Sequence, residues 1–197
     1  MNQPINYEPT PDQSFFEKAR RAGLDEQEFM YDFLTSQGGR RFAIMLGSNF
    51  VEHNFDVIRE MLVHSETVIG LSDAGAHVNL IFDGVAPTYQ MTHWARDRSR
   101  GERLPLEFLV AKQTKRNADL YAMHDRGSLE IGKRADINVI DFENLRLGNL
   151  EVRNDLPAGG QRILQPASGY CATFVNGVQT RRNDEDTGAR PGRLWRA

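Results

Sequence analysis

Asp73 stands in Val68-Ile69-Gly70-Leu71-Ser72-Asp73-Ala74-Gly75-Ala76-His77, where a short apolar run ends in serine, aspartate and small residues. A buried strand that delivers a carboxylate at its C-terminal end, into a glycine and alanine loop that a substrate can approach, is how parallel barrels place catalytic groups. The same Ser-Asp-Ala-Gly string fits a helix N-cap or turn aspartate equally well, so these residues alone leave both readings open. His77, four residues on, either lines the mouth of such a site or is a polar loop histidine. Arg96 and Arg98, in Thr92-His93-Trp94-Ala95-Arg96-Asp97-Arg98, can grip a substrate carboxylate bidentately. Arginines near a helix end are more often solvated or paired with neighbours, here Asp97 and Glu102, and that reading is favoured.

Metal chemistry has no local motif. The histidines His53, His64, His77, His93 and His124 include no His-x-His and no H-E-x-x-H. His93 reads as a packed helix residue beside Trp94, and His64 as a helix C-terminal residue favoured by the dipole. Cys171 is the only cysteine, which excludes an internal disulfide, and it reads as a small buried hydrophobe on a strand.

The elements that must position these residues alternate. Asp25 and Glu28 form a capping box before Phe29, Met30, Phe33 and Leu34, and Gly38-Gly39 stops that helix. Arg41 to Leu46 reads as a buried strand. Asn54 caps a second helix through Val57, Ile58, Met61 and Leu62, and Thr67 to Leu71 follows as the next strand. Strands alternating with helices imply a parallel sheet covered by helices. Tyr89 to Arg98, a segment from Pro105 to about Lys115, and a turn from Asn117 to Met123 read as helical. Beyond Met123 the pattern becomes strand and turn: Ser128 to Ile131, Asp136 to Asp141, then Tyr170 to Val175 and Val178 to Arg181 around Asn176-Gly177, a strong hairpin signal. Residues 1–13 are polar and proline-containing and read as a lead-in outside the core.

With 40% hydrophobic and 26% charged residues, disorder and fibrous repeats are excluded, and a net charge of −3 points to no nucleic-acid partner. No apolar run approaches the roughly 18 residues of a membrane span, and no secretory signal is visible, which makes a cytoplasmic location the expectation.

Leu71-Ser72-Asp73-Ala74-Gly75-Ala76-His77, the Thr92–Arg98 segment, Gly127-Ser128-Leu129-Glu130-Ile131-Gly132-Lys133-Arg134-Ala135-Asp136-Ile137-Asn138-Val139-Ile140-Asp141, Val175-Asn176-Gly177 and Thr187-Gly188-Ala189-Arg190-Pro191-Gly192-Arg193 follow in an order with its own resemblance. Together they resemble the C-terminal part of a metal-dependent amidohydrolase of the D-aminoacylase (N-acyl-D-amino-acid deacylase) type, from about residue 14 to the end. The resemblance implies an α/β fold. Residues 1–123 would be the last strands and helices of a (β/α) barrel, and 124–197 a β-rich segment of a small composite β-sandwich. It also implies hydrolysis of a non-peptide amide in a small acylated amine, with Asp73 as proton shuttle and metal contact. Zinc, one or two ions, would be held mostly by residues outside this sequence. Where N-acyl-D-amino-acid deacylases carry His-Pro-Arg after the aspartate, this chain has Val78-Asn79-Leu80-Ile81-Phe82-Asp83-Gly84, so a substrate carboxylate needs another cation.

Only two candidate strands precede the β-rich part, whereas a closed barrel needs eight. The expectation is therefore a partial barrel that is inactive by itself, completed by a missing N-terminal half or a partner subunit, with Met1 a truncated start or the start of a split enzyme's subunit. The competing readings are a non-catalytic remnant or interaction module, and a hydrolase of cyclic amides or ureides.

Overall fold

The computed structural model describes residues 5–70 and 72–195 and divides into two compact units, Met1–Ser65 and Glu66–Ala197. Leu71, the last residue of the second predicted strand, lies outside the described residues.

In the first unit, α1 (Phe15–Ala22) starts where the Ser14 hydroxyl accepts the Glu17 N–H at 3.1 Å, and it ends at Gly23, whose φ of 67° suits a residue without a Cβ. The predicted cap of α2 (Glu26–Gly39) forms: Asp25 Oδ1 accepts the N–H groups of Gln27 and Glu28 at 2.9 and 3.1 Å. Phe15 meets Phe29 and Phe33 edge-on, with ring centroids 6.0 and 5.0 Å apart, and this aromatic seam joins α1 to α2. At α3 (Asp56–Val63) Asn54 Oδ1 takes the Asp56 N–H, and Glu8 Oε1 takes the Phe55 N–H at 2.7 Å. Glu8 is 3% exposed, so the lead-in contributes this one residue's side chain to the core, against the expectation that it lies outside. Its carboxylate satisfies an otherwise orphaned donor at a helix N-terminus, which a count of polar residues does not reveal.

The second unit holds α4 (Ala86–Thr92), a π-helical turn (His93–Asp97), α5 (Leu106–Gln113) and α6 (Lys115–Leu120). Strands β1 (Ile137–Ile140), β6 (Tyr170–Val175), β7 (Val178–Arg182) and β8 (Glu185–Asp186) form a four-stranded sheet in that order. The short strands β2 (Arg146–Leu147) and β5 (Ala167–Ser168) pair, as do β3 (Glu151–Leu156) and β4 (Gly160–Leu164). The Asn-Gly hairpin forms as read, with φ of 52° at Asn176 and 77° at Gly177 and Val175 opposite Val178. Met91, Trp94, Leu104, Leu109, Ala118, Leu145 and Leu150 make the buried core, drawn from helices and from the β-rich part alike. The Thr88 hydroxyl lies 2.6 Å from the Tyr170 hydroxyl. Such bonds tie α4 to the sheet, and the division into compact units falls at Ser65, far from the composition change near Met123.

Three strand expectations are not met. Residues 41–46 and 67–70 lie in no ladder, and every ladder among the described residues is antiparallel. Both segments still keep a period-two burial pattern, with Phe42, Ile44 and Leu46 half-buried and Met45 91% exposed. A parallel strand hydrogen-bonds only to neighbours brought alongside by crossovers, and no such neighbour occurs among the described residues. Ser128 to Ile131 is a loop with Leu129 80% exposed. It closes on itself through Lys133 N–H to Glu130 O and Arg134 N–H to Asp125 O. Cys171 is on a strand, as read, but exposed. Tyr170 turns inward to Thr88, and its neighbour must face the other way. Among the described residues no helix is long and apolar enough to cross a membrane.

Candidate active site around Asp73

The segment leading to Asp73 is held by side chains where a sheet would have used backbone. Lys112 Nζ donates to Thr67 Oγ1 at 2.7 Å, and Asn117 Nδ2 donates to the Ile69 carbonyl at 3.1 Å. Lys112 sits on the buried face of α5, three residues after the fully buried Leu109, and is itself 1% exposed. Its ammonium lies 5.8 Å from the centre of the Phe108 ring. Burial pushes its pKa below the ordinary lysine value, and nearby Arg116 adds to the shift.

Asp73 is exposed, and its backbone N–H donates to Asp83 Oδ2 at 3.0 Å. Its carbonyl accepts the Ala76 N–H at 3.0 Å. No hydrogen bond or ion pair among the described residues engages its carboxylate, which leaves it open to solvent and to a reactant. His77 is also exposed, with φ 42°, and its carbonyl accepts the Leu80 and Ile81 N–H groups. It therefore lies on the loop that Asp73 opens. The tip of that loop is tied to β4 where Ile163 N–H meets Val78 O at 2.8 Å.

The two arginines are committed elsewhere. Arg96 binds both oxygens of Asp97, at 2.7 and 2.9 Å, and donates to the carbonyls of Phe142, Glu143 and Leu145. Its bond to Asp97 holds the guanidinium above the usual arginine range. Arg98 is 1% exposed, lies 4.7 Å from the Trp94 ring centre and donates to the carbonyls of Glu102 and Arg100. Both act as staples of the fold. The pairing of Arg96 with Asp97 is the neighbour pairing weighed against carboxylate binding, and the carbonyl contacts lie in a segment that sequence distance hides. His93 stacks on Tyr89 and meets Trp94 edge-on, as a packed residue should.

Sequence reasoning passed over Asp83, Lys112 and Asn117. For Lys112 the signal was a charge on the apolar face of α5, at helical spacing from Leu109. Asp83 precedes Gly84 and Pro87 and looks like any turn aspartate. A cleft of about 540 Å³ lies nearby, lined by Asn117, Tyr121, Met123, Arg126, Ser128 and Asp136 among others, and includes none of the four sequence-derived site residues.

The fit to zinc can be judged from the donor set. Among the described residues no group of three or more His, Cys, Asp or Glu side chains could hold a metal ion. A catalytic zinc normally takes three protein ligands, and Asp73 offers at most one. These residues do not make a complete metal centre.

A family model described as the amidohydrolase family matches residues 14–180 of the 197. Comparison with curated proteins and with solved structures returns no match.

Proposed function

The chain belongs to the amidohydrolase family, and from that membership we propose that it serves the hydrolysis of a non-peptide amide, with Asp73 as the proton-transfer group. The reading extends to the D-aminoacylase type, in which an N-acyl amino acid is cleaved to a carboxylate and an amine. What carries it is the presentation of Asp73: an exposed carboxylate, free of hydrogen bonds among the described residues, whose backbone is fixed on both sides. Such a carboxylate can accept a proton from the water that attacks the acyl carbon. It returns that proton to the amine nitrogen as the C–N bond breaks. His77 shares the loop and supports a role in orienting the substrate. Zinc dependence rests on the resemblance alone, so the role assigned to this chain is proton transfer.

We also propose that residues 41–46 and 67–70 take ladder partners from further barrel strands, on the same polypeptide or on a partner subunit. Their alternating burial supports this, as does the exposure of Met45 and Val68. The lack of a complete ligand set favours a second reading, a non-catalytic interaction module.

One experiment separates the two. The protein is assayed together with the barrel strands that complete it, on the same polypeptide or on a partner subunit, for release of amino acid from N-acyl-D- and N-acyl-L-amino acids, with zinc content measured alongside. Under the proposed reading Asp73→Asn lowers turnover by about 100-fold or more with the thermal midpoint unchanged. Turnover that survives the substitution removes Asp73 from the mechanism, and a zinc-free protein with no hydrolysis supports the interaction module.

A further inference from the structure

We propose that Asp83 is a positioning residue for Asp73, an inference that rests on the reading of Asp73 as the proton-transfer group. Its two carboxylate oxygens have different circumstances. Oδ2 accepts the Asp73 N–H at 3.0 Å across ten residues of chain. Oδ1 is buried and has no hydrogen-bond partner among the described residues. A buried carboxylate oxygen without a donor is unfavourable, so this side chain is held in place by the fold around it and not by solvation. Its remaining bond, from a backbone N–H to an ionised oxygen, is the charge-assisted kind.

Both ends of that bond are anchored. Asp83 opens a single 3-10 turn (Asp83–Val85) that runs directly into α4, whose Thr88, Met91 and Thr92 are buried. Behind the bond the two backbones pass so closely that a Cβ on Gly84 would lie 3.3 Å from the Ala74 Cβ. On the other side, Gly75 with φ 102° and His77 with φ 42° turn the chain away from Asp73 at once. The Asp83 bond therefore fixes the peptide plane from which the Asp73 side chain projects, while leaving the Asp73 carboxylate itself unbonded among the described residues. A group that must take up and release a proton gains from this arrangement. Its direction is set through the main chain, and its side-chain oxygens stay open to a reactant.

A turn aspartate that merely stabilised the loop would show a different pattern from a positioning residue. The test uses Asp83→Ala, which removes the acceptor, and Asp83→Asn, which keeps an oxygen at that place. Amide hydrogen exchange, followed by NMR on the whole chain, is expected to be about 10-fold or more faster at Asp73 in Asp83→Ala, with the β6 and β7 amides unchanged. In the enzyme completed by its further barrel strands, hydrolysis of an N-acyl amino acid is expected to lose about 10-fold or more in kcat, with KM within about twofold, and Asp83→Asn should restore most of the loss. Unchanged exchange at Asp73 overturns the proposal. So does a lowered thermal midpoint with kcat intact, which marks a turn cap only. Should Asp73→Asn retain full turnover, the functional reading fails, while the exchange measurement still decides whether Asp83 clamps Asp73.

Discussion

Lys112 and Thr67 are joined by an ammonium-to-hydroxyl bond of 2.7 Å made from a side chain that is 1% exposed. One end is a helix core position and the other begins the segment that leads to Asp73, so this polar contact carries the packing of α5 to the candidate site. Asn117, on α6, repeats the device at the carbonyl of Ile69.

Lys112 makes stability depend on alkaline pH. Burial lowers its folded pKa below the unfolded value of 10.5, so the native state binds fewer protons than the unfolded state in the window below 10.5. The contribution of this group is therefore most favourable above 10.5 and is lost as pH falls through the lowered folded value. Urea unfolding of wild type and Lys112→Met between about pH 8 and pH 10.5 should show the difference moving in favour of wild type as pH rises. A flat difference would mean that Lys112 keeps its ordinary proton affinity.

Arg96 serves three carbonyls and one carboxylate from a single planar fork, which an ammonium cannot do. Arg96→Lys is expected to cost about 1–3 kcal/mol of stability, read by urea or thermal unfolding. KM for an N-acyl amino acid should stay within about twofold of wild type. A large rise in KM at unchanged stability would return Arg96 to the substrate carboxylate.

Gly101 is required by Arg98. With φ 144°, and with an added Cβ 2.6 Å from the Arg98 guanidinium carbon, Gly101→Ala strains the backbone and displaces a side chain that is 1% exposed. A loss of about 1–3 kcal/mol is expected, while Ser99→Ala on the same loop should change little.

Asp186 is held at about 2 by its bond to Arg190, with help from the Gly188 N–H. Its contribution to stability is present above the ordinary 3.8 and is lost as pH falls through about 2. NMR titration of Arg190→Gln should show the Asp186 pKa moving back toward 3.8, yet stopping short because the Gly188 N–H remains at 2.8 Å. An unchanged value would leave Arg190 without a role there.

What sequence made visible was whatever depends on neighbours in the chain. The Asp25 cap and the Asn176-Gly177 hairpin form as local chemistry dictates, whereas the helix expected to stop at Gly38-Gly39 already leaves helical backbone at Ser36, with ψ 156°. The site was legible in one respect, that Asp73 follows an apolar segment and opens a loop of small residues. The contacts that hold it span long stretches of chain, 45 residues from Lys112 to Thr67 and 48 from Asn117 to Ile69, and the Arg96 staple likewise spans 46 to Phe142. Apolar periodicity carries no information about such polar pairings. Residues 41–46 and 67–70 show the complementary failure. Their patterns are those of strands, but a strand is a relation between two segments, and a pattern names only one.

Because Asp73 and Asp83 are bonded to each other, residues 74–82 leave and re-enter the fold at a single point. The chain between can change length or composition at small entropic expense, since closure cost grows only slowly with loop length. The loop's backbone bonds back to Asp73 through the Ala76 N–H and is tethered to β4 through Val78 O and the Ile163 N–H. Residues 74–82 thus form a segment whose exchange leaves the Asp73–Asp83 junction itself in place.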